Sequence, residues 1–274
     1  MKKFSTRNFL ATVFYTLLAF LWIVPVIWLV GKAFTPEMAI YKEGHKLIPS
    51  QLTLKNITNI FANWPFIRWF INSLLVTTGA IVFTAIVSVL AGFSFSRLHW
   101  KGRNTVFLIF LSSMFIPWEI NAIPLYFIMN TLGLLNTRIG VFLPMVAMPI
   151  GVFLIRQFLI NIPQELEDAA RIDGCSSFSL LIRILLPLSI PALGALTIWI
   201  FIFAWNEFFW SMISLKKSAM LTMPIGLKTI MGSQNIEYGI LFGASLLALI
   251  PSLIIFVGLR KRIISGISIS GAIK

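Results

Sequence analysis

The 274-residue chain has little of what soluble enzymes are built from: nine acidic residues, two histidines and one cysteine. Charged residues make up 11% of it, against about 25% in a soluble domain. His45 and His99 fall in loops read on opposite faces, so they share no metal. No H-E-x-x-H, C-x-x-C or G-x-S-x-G occurs, which excludes those zinc, dithiol and acyl-transfer designs. A G-x-x-x-x-G-K-[ST] loop is also missing, so the chain has no phosphate-cradling ATP site of that type. Nothing in the sequence calls for a cofactor. Cys175, alone, makes no internal disulfide. The alternating segments of about 10 residues that mark an outer-membrane barrel are absent as well.

What the chain has is apolar sequence, 58% of its residues, at a mean hydropathy of +0.92. A helix needs roughly 20 mainly apolar residues to cross about 30 Å of hydrocarbon. Six stretches qualify, at about 9–31, 70–96, 105–128, 139–160, 188–214 and 239–259. The expected fold is an all-α polytopic membrane protein of six transmembrane helices, forming one domain over 1–274. The N-terminal apolar run is too long for the core of a signal peptide, and is read as a retained first span.

The net charge of +13 does not form one patch that would suit nucleic acid. Basic residues flank the spans, where they set orientation. An even number of spans puts both termini on one side, with Lys2, Lys3, Arg7, Arg97, Lys101, Arg103, Arg156, Arg171, Arg183, Arg260, Lys261, Arg262 and Lys274. That side is read as cytoplasmic. The long loop at 32–68 lies opposite, with a short helix expected near LTLKNITNIFAN and Thr53 as its cap.

Two carboxylates fall within spans, Glu119 in FIPWEINAIPLY and Glu207 in AWNEFFW, beside Asn121 and Asn206. Charge inside a membrane usually faces the bundle interior or a water-filled path. These four residues are the candidates for a substrate path, although an interfacial position suits both carboxylates too. Pro117 and Pro124 break backbone hydrogen bonds in the third span, which marks that helix as a candidate lining. The aromatics of the fifth span, among them Trp199, Trp205 and Trp210, suit either sugar faces or a membrane-surface belt with packing.

One polar island stands out, NIPQELEDAARIDG at 161–174. Pro163 suits a first helical turn, and Glu165, Glu167 and Asp168 follow at the positive end of the helix dipole. Gly174 is a left-handed stop, after which Ser176 or Ser177 can cap a second helix along the membrane surface. A short exposed helix with small residues on one side fits a groove in a partner, with an ordinary amphipathic loop helix as the alternative.

This island resembles the EAA loop of ATP-binding-cassette importer permeases: E-A-A, three residues, Gly, nine residues, then I-x-L-P. Here it reads D-A-A-R-I-D-G at 168–174, nine residues, then Ile184, Leu185, Leu186 and Pro187, with Asp168 in place of Glu. INSLLVTTGAIVFTAIVSVLAGFSFSRL, IPLYFIMNTLGLLNTRIGVFLP, AWNEFFW and GISISGAIK resemble the maltose-type carbohydrate branch. The resemblance implies a half-pore working with a second homologous permease, two ATP-binding subunits and an extracytoplasmic solute-binding protein. It implies that the loop at 161–187 couples to the ATPase through Glu167, Asp168, Ala169, Ala170, Asp173, Gly174, Leu186 and Pro187. The tail from Ile263 to Lys274 is a weaker candidate for contact with the ATPase. Sugar import is the function implied, with glycerol phosphate or another polyol-like solute as the alternative. A proton-coupled secondary carrier is the distant rival; it would need repeated halves and no ATPase.

Overall fold

The computed structural model describes residues 6–271, with side chains from 9 to 258. Lys2, Lys3 and Lys274 lie outside the described residues. So do the side chains of Arg7, Arg260, Lys261 and Arg262, and those of the tail from Ile263 onward.

Every regular element among the described residues is helical. Three unbroken helices are long and apolar enough to cross a membrane: Phe9–Ala33, Phe66–Ser96 and Tyr238–Gly258. Three more spans are bent pairs: Arg103–Phe115 with Trp118–Thr131 at 96°, Arg138–Met145 with Pro149–Ile160 at 48°, and Ser177–Leu188 with Ile190–Trp205 at 74°. Six spans result, as the apolar runs require.

The bends follow the prolines, with one correction. Pro117 breaks the third span: Ile116 before it is extended at ψ 115°, and Pro117 itself has ψ 136°. A proline ring crowds the preceding residue out of the helical region. Pro124, expected to break it again, sits in the first turn of Ala122–Thr131, where its missing N–H has no intrahelical partner to lose. The fifth span also ends earlier than its apolar run: the helix stops at Trp205, and a separate helix, Phe209–Ser214, follows.

The chain divides into two compact units. The larger runs over Arg68–Ile225 and from Pro251 onward. Its core gathers Val76, Ala80, Met145, Ile155, Leu185 and Leu196. The second span reaches that core through small and polar side chains. Asn72, Ser73, Thr77, Thr84 and Ser88 are all buried. Thr84 Oγ1 donates to the Met145 carbonyl at 3.1 Å. A Cβ on Gly79 would meet the Phe142 ring at 2.7 Å, and one on Gly92 would meet Ile155 at 2.9 Å. Lipid tails give helices no hydrophobic drive to associate, so such close backbone approach supplies the packing.

The other unit comprises the chain up to Ile67 and Gly226–Ile250. Asn56 is buried and donates to the carbonyls of Ala33 and Thr35 at 3.0 and 2.8 Å. Trp28 Nε1 and Lys32 Nζ hold the Gly44 and Glu43 carbonyls at 2.9 and 2.7 Å. The Glu37 carboxylate accepts from the backbone N–H groups of Tyr238 and Gly239, at 2.9 and 2.7 Å, and so caps the last span. The expected loop helix forms at Lys55–Asn63, but Leu54 rather than Thr53 holds its N-cap position; Thr53 Oγ1 accepts from Lys55 N at 3.1 Å from one residue earlier.

Candidate coupling site

The polar island folds as a helix of eight residues, Glu165–Ile172, with Glu165, Glu167 and Asp168 in its first turn. Its stop is complete. Gly174 has φ +80°, its N–H donates to Arg171 O at 3.0 Å, and Cys175 N–H donates to Ala170 O at 2.9 Å. These paired bonds satisfy the last carbonyls, and the left-handed residue between them favours glycine. Ser176 then caps the next helix, its Oγ accepting from Ser179 N at 3.2 Å.

The helix has two faces. Leu166, Asp168, Ala169, Ile172 and Asp173 are exposed, Ile172 to 86%. Glu167 and Ala170 point into the chain. Glu167 Oε1 forms an ion pair with Arg97 Nε at 2.6 Å. The same guanidinium donates through Nη2 to Leu159 O at 2.5 Å and Ile162 O at 2.7 Å. Arg97 therefore sits between the carbonyl end of one helix, Pro149–Ile160, and the acidic first turn of another. Both ends attract opposite charge, so a cation bridging them to a carboxylate suits the dipoles.

The residues that the sequence proposed for coupling therefore separate. Asp168, Ala169, Asp173 and Gly174 lie on the exposed face or its stop, and Glu167 and Ala170 anchor it from beneath. Leu186, half-buried, and Pro187, exposed, stand at the far end of the following helix, where Leu181 and Leu185 enter the core. Arg97 is the residue sequence reasoning missed. In SFSRL it looks like any basic residue ending a span, and no local spacing announces a partner 70 positions away.

Two further arginines tie the same end of the unit. Arg156 Nε donates to Phe95 O at 3.1 Å, and its guanidinium lies 4.2 Å over the Phe107 ring. Arg103 Nη1 donates to Leu98 O at 2.8 Å. The described side chains include no cluster of His, Cys, Asp and Glu able to hold a metal.

Of the four candidate path residues, Glu119 and Asn121 are exposed on the tight turn Trp118–Asn121 at the break of the third span. Asn206 is exposed, its Nδ2 bonded back to Ile202 O at 2.7 Å. Glu207 differs. It is 7% exposed, and both carboxylate oxygens are used: Oε1 accepts from Trp210 N at 2.7 Å, and Oε2 from Ser211 N and Oγ at 2.8 and 2.6 Å. It caps the helix Phe209–Ser214. The aromatics pack on one another: Trp199 stacks on Phe203 at 5.5 Å, Phe201 on Trp205 at 5.6 Å, and Trp118 meets Phe203 edge-on at 6.2 Å.

Comparison with known proteins agrees with this architecture. A crystallised bacterial ABC transporter involved in importing the acidic polysaccharide alginate has a chain of the same fold. It superposes with a TM-score of 0.84 over 95% of this chain and 99% of that one, at 21% identity. The arabinooligosaccharides transport system permease protein AraQ of Halalkalibacterium halodurans is 35% identical over 270 residues, 96% of each chain. The diacetylchitobiose uptake system permease protein DasC of Streptomyces coelicolor is 31% identical over 254 residues, 92% of each. The model of the binding-protein-dependent transport system inner membrane component family matches residues 1–267, and the chain belongs to that family.

Proposed function

We propose that this chain is one half of the membrane pore of an ATP-driven sugar importer. It pairs with a second, homologous permease, receives substrate from an extracytoplasmic binding protein, and is driven by two ATP-hydrolysing subunits. The observation that carries the reading is the helix Glu165–Ile172. Within a chain of this family its outer face is left exposed while its buried face grips the spans, an arrangement that suits a docking partner. Residues 1–274 act as one permease domain, and hydrolysis is left to the partners. The excess of basic residues on one set of turns puts the coupling loop and both termini in the cytoplasm. The sugar assignment follows AraQ and DasC, whose names specify saccharides. Glu119 and Asn121, exposed at the break of the third span, are the proposed path residues.

Uptake by the assembled transporter in proteoliposomes tests the reading, with radiolabelled arabino-oligosaccharides and other neutral oligosaccharides as probes. Uptake of at least one, blocked by vanadate and indifferent to a proton ionophore, is the expected result. Uptake that ignores vanadate and collapses with the ionophore overturns it in favour of a secondary carrier. Gly174→Asp has no room problem, since a Cβ there meets nothing within 4 Å. It does strain the positive-φ stop and adds charge to the exposed face. It is expected to insert normally and to abolish stimulation of hydrolysis by the binding protein.

A further inference from the structure

We infer that Arg97 is a positioning residue for energy coupling: it locks the docking helix to the end of the second span, so that displacement of one moves the other. The inference rests on the coupling role proposed above for Glu165–Ile172, and adds the joint through which that helix acts.

The guanidinium is surrounded rather than exposed. The side chains of Arg97 and Glu167 are 11% and 5% accessible, and their charged atoms lie 2.6 Å apart. The remaining partners, the carbonyls of Leu159 and Ile162, belong to the end of the fourth span and the segment leading into the docking helix. Three pieces of chain thus meet on one side chain: the end of Phe66–Ser96, the end of Pro149–Ile160 and the first turn of Glu165–Ile172. Arginine suits this place because its planar fork serves several acceptors at once and keeps its charge when buried. Lysine presents a point charge and cannot hold the same geometry.

The second span can transmit what the joint receives. It runs from Phe66 to Ser96 without a proline. Near its other end, Asn72 Nδ2 donates to the carbonyls of Ala219 and Leu221 at 3.0 and 2.9 Å, and Ser73 Oγ accepts from Met223 N at 2.8 Å. One continuous helix therefore joins the docking helix to the connection after the fifth span, on the opposite side of the membrane.

A buried ion pair is poor evidence for stability, since an apolar pair of similar size often serves as well, whereas removing one partner strands a charge. That difference separates positioning from mere support. The experiment uses the assembled transporter in proteoliposomes and measures hydrolysis with and without the binding protein. The variants are Arg97→Met, Glu167→Leu and the double variant Arg97→Met/Glu167→Leu. A nitroxide at Ile172→Cys in a Cys175→Ser background reports the mobility of the docking helix. The double variant is expected to have a thermal midpoint above that of either single variant, though short of wild type because the Leu159 and Ile162 carbonyls lose their donor. It nevertheless loses stimulation by at least about fivefold, the low end of an ordinary coupling effect, and its label becomes more mobile. A double variant that recovers both stability and stimulation makes the pair structural and overturns the proposal. If stimulation is intact in the double variant but lost in Gly174→Asp, the joint fails while the coupling loop stands. If Gly174→Asp is stimulated normally as well, the coupling reading fails with it.

Discussion

The Nε of Arg138 lies 2.9 Å from the side-chain oxygen of Asn72, whose amide nitrogen donates in turn to the carbonyls of Ala219 and Leu221. One fully buried amide thus satisfies a cation and two backbone acceptors from segments that are 66 to 149 residues away in sequence. Asn136 closes the neighbouring turn: it holds φ +61°, and its Oδ1 accepts from the backbone N–H groups of Lys216 and Lys217. Asparagine tolerates this left-handed backbone better than most residues.

Replacing the amide by an isosteric apolar group tests how much that junction holds. Asn72→Leu leaves two carbonyls and an arginine without their partner, and each orphaned group costs about 1–3 kcal/mol when water cannot reach it. Interhelical hydrogen bonds within bilayers average nearer 0.6 kcal/mol, so an overall loss of about 2 kcal/mol is expected. The thermal midpoint of the purified protein in detergent reads it. An unchanged midpoint means that the junction adds nothing to stability.

Close helix contact makes a second prediction. A Cβ on Gly151 would collide with Ser88 Oγ and meet Leu196 Cδ1 at 3.3 Å, so the second, fourth and fifth spans converge on this glycine. Gly258 also lies in a helix, but a Cβ there meets nothing within 4 Å. Gly151→Ala should destabilise by roughly 1–3 kcal/mol through overpacking. Gly258→Ala should be neutral, or stabilise by up to about 1 kcal/mol because alanine is the better helix former. Equal midpoints for the two variants would refute the packing argument.

These contacts also show where sequence reasoning reached its limit. Length and hydropathy sufficed to find six spans, because the thickness of hydrocarbon sets the number of apolar residues needed. Local chemistry sufficed for the helix Glu165–Ile172: Gly174 and Ser176 act within a few residues of themselves, and the positive-φ stop and the cap both formed as read. The breaks in the spans were half legible, since Pro117 bends its helix while Pro124, seven residues on, fits a first turn. What lay hidden were partnerships at long range. Nothing near Arg97 points to Glu167, and nothing near Asn72 points to Leu221. The spacing of Gly79, Thr84, Ser88 and Gly92 along the second span was the available signal for its packing face. It becomes readable once the opposing helix is known.

Glu207 and Glu119 look alike in sequence, each a carboxylate within a span beside an asparagine, and the structure separates them. Glu207 satisfies two backbone N–H groups and the Ser211 hydroxyl, whereas Glu119 is exposed at a helix break. Removing a capping side chain costs about 0.5–2 kcal/mol, and the freed N–H groups gain no water in an apolar surrounding. Glu207→Ala should therefore lower the thermal midpoint and the yield of assembled protein, with uptake per assembled transporter close to wild type. Glu119→Ala should do the reverse, leaving the midpoint alone and lowering uptake at equal assembly. Measuring both quantities on both variants decides the roles: a Glu207→Ala protein of normal stability that fails to transport would return that carboxylate to the substrate path.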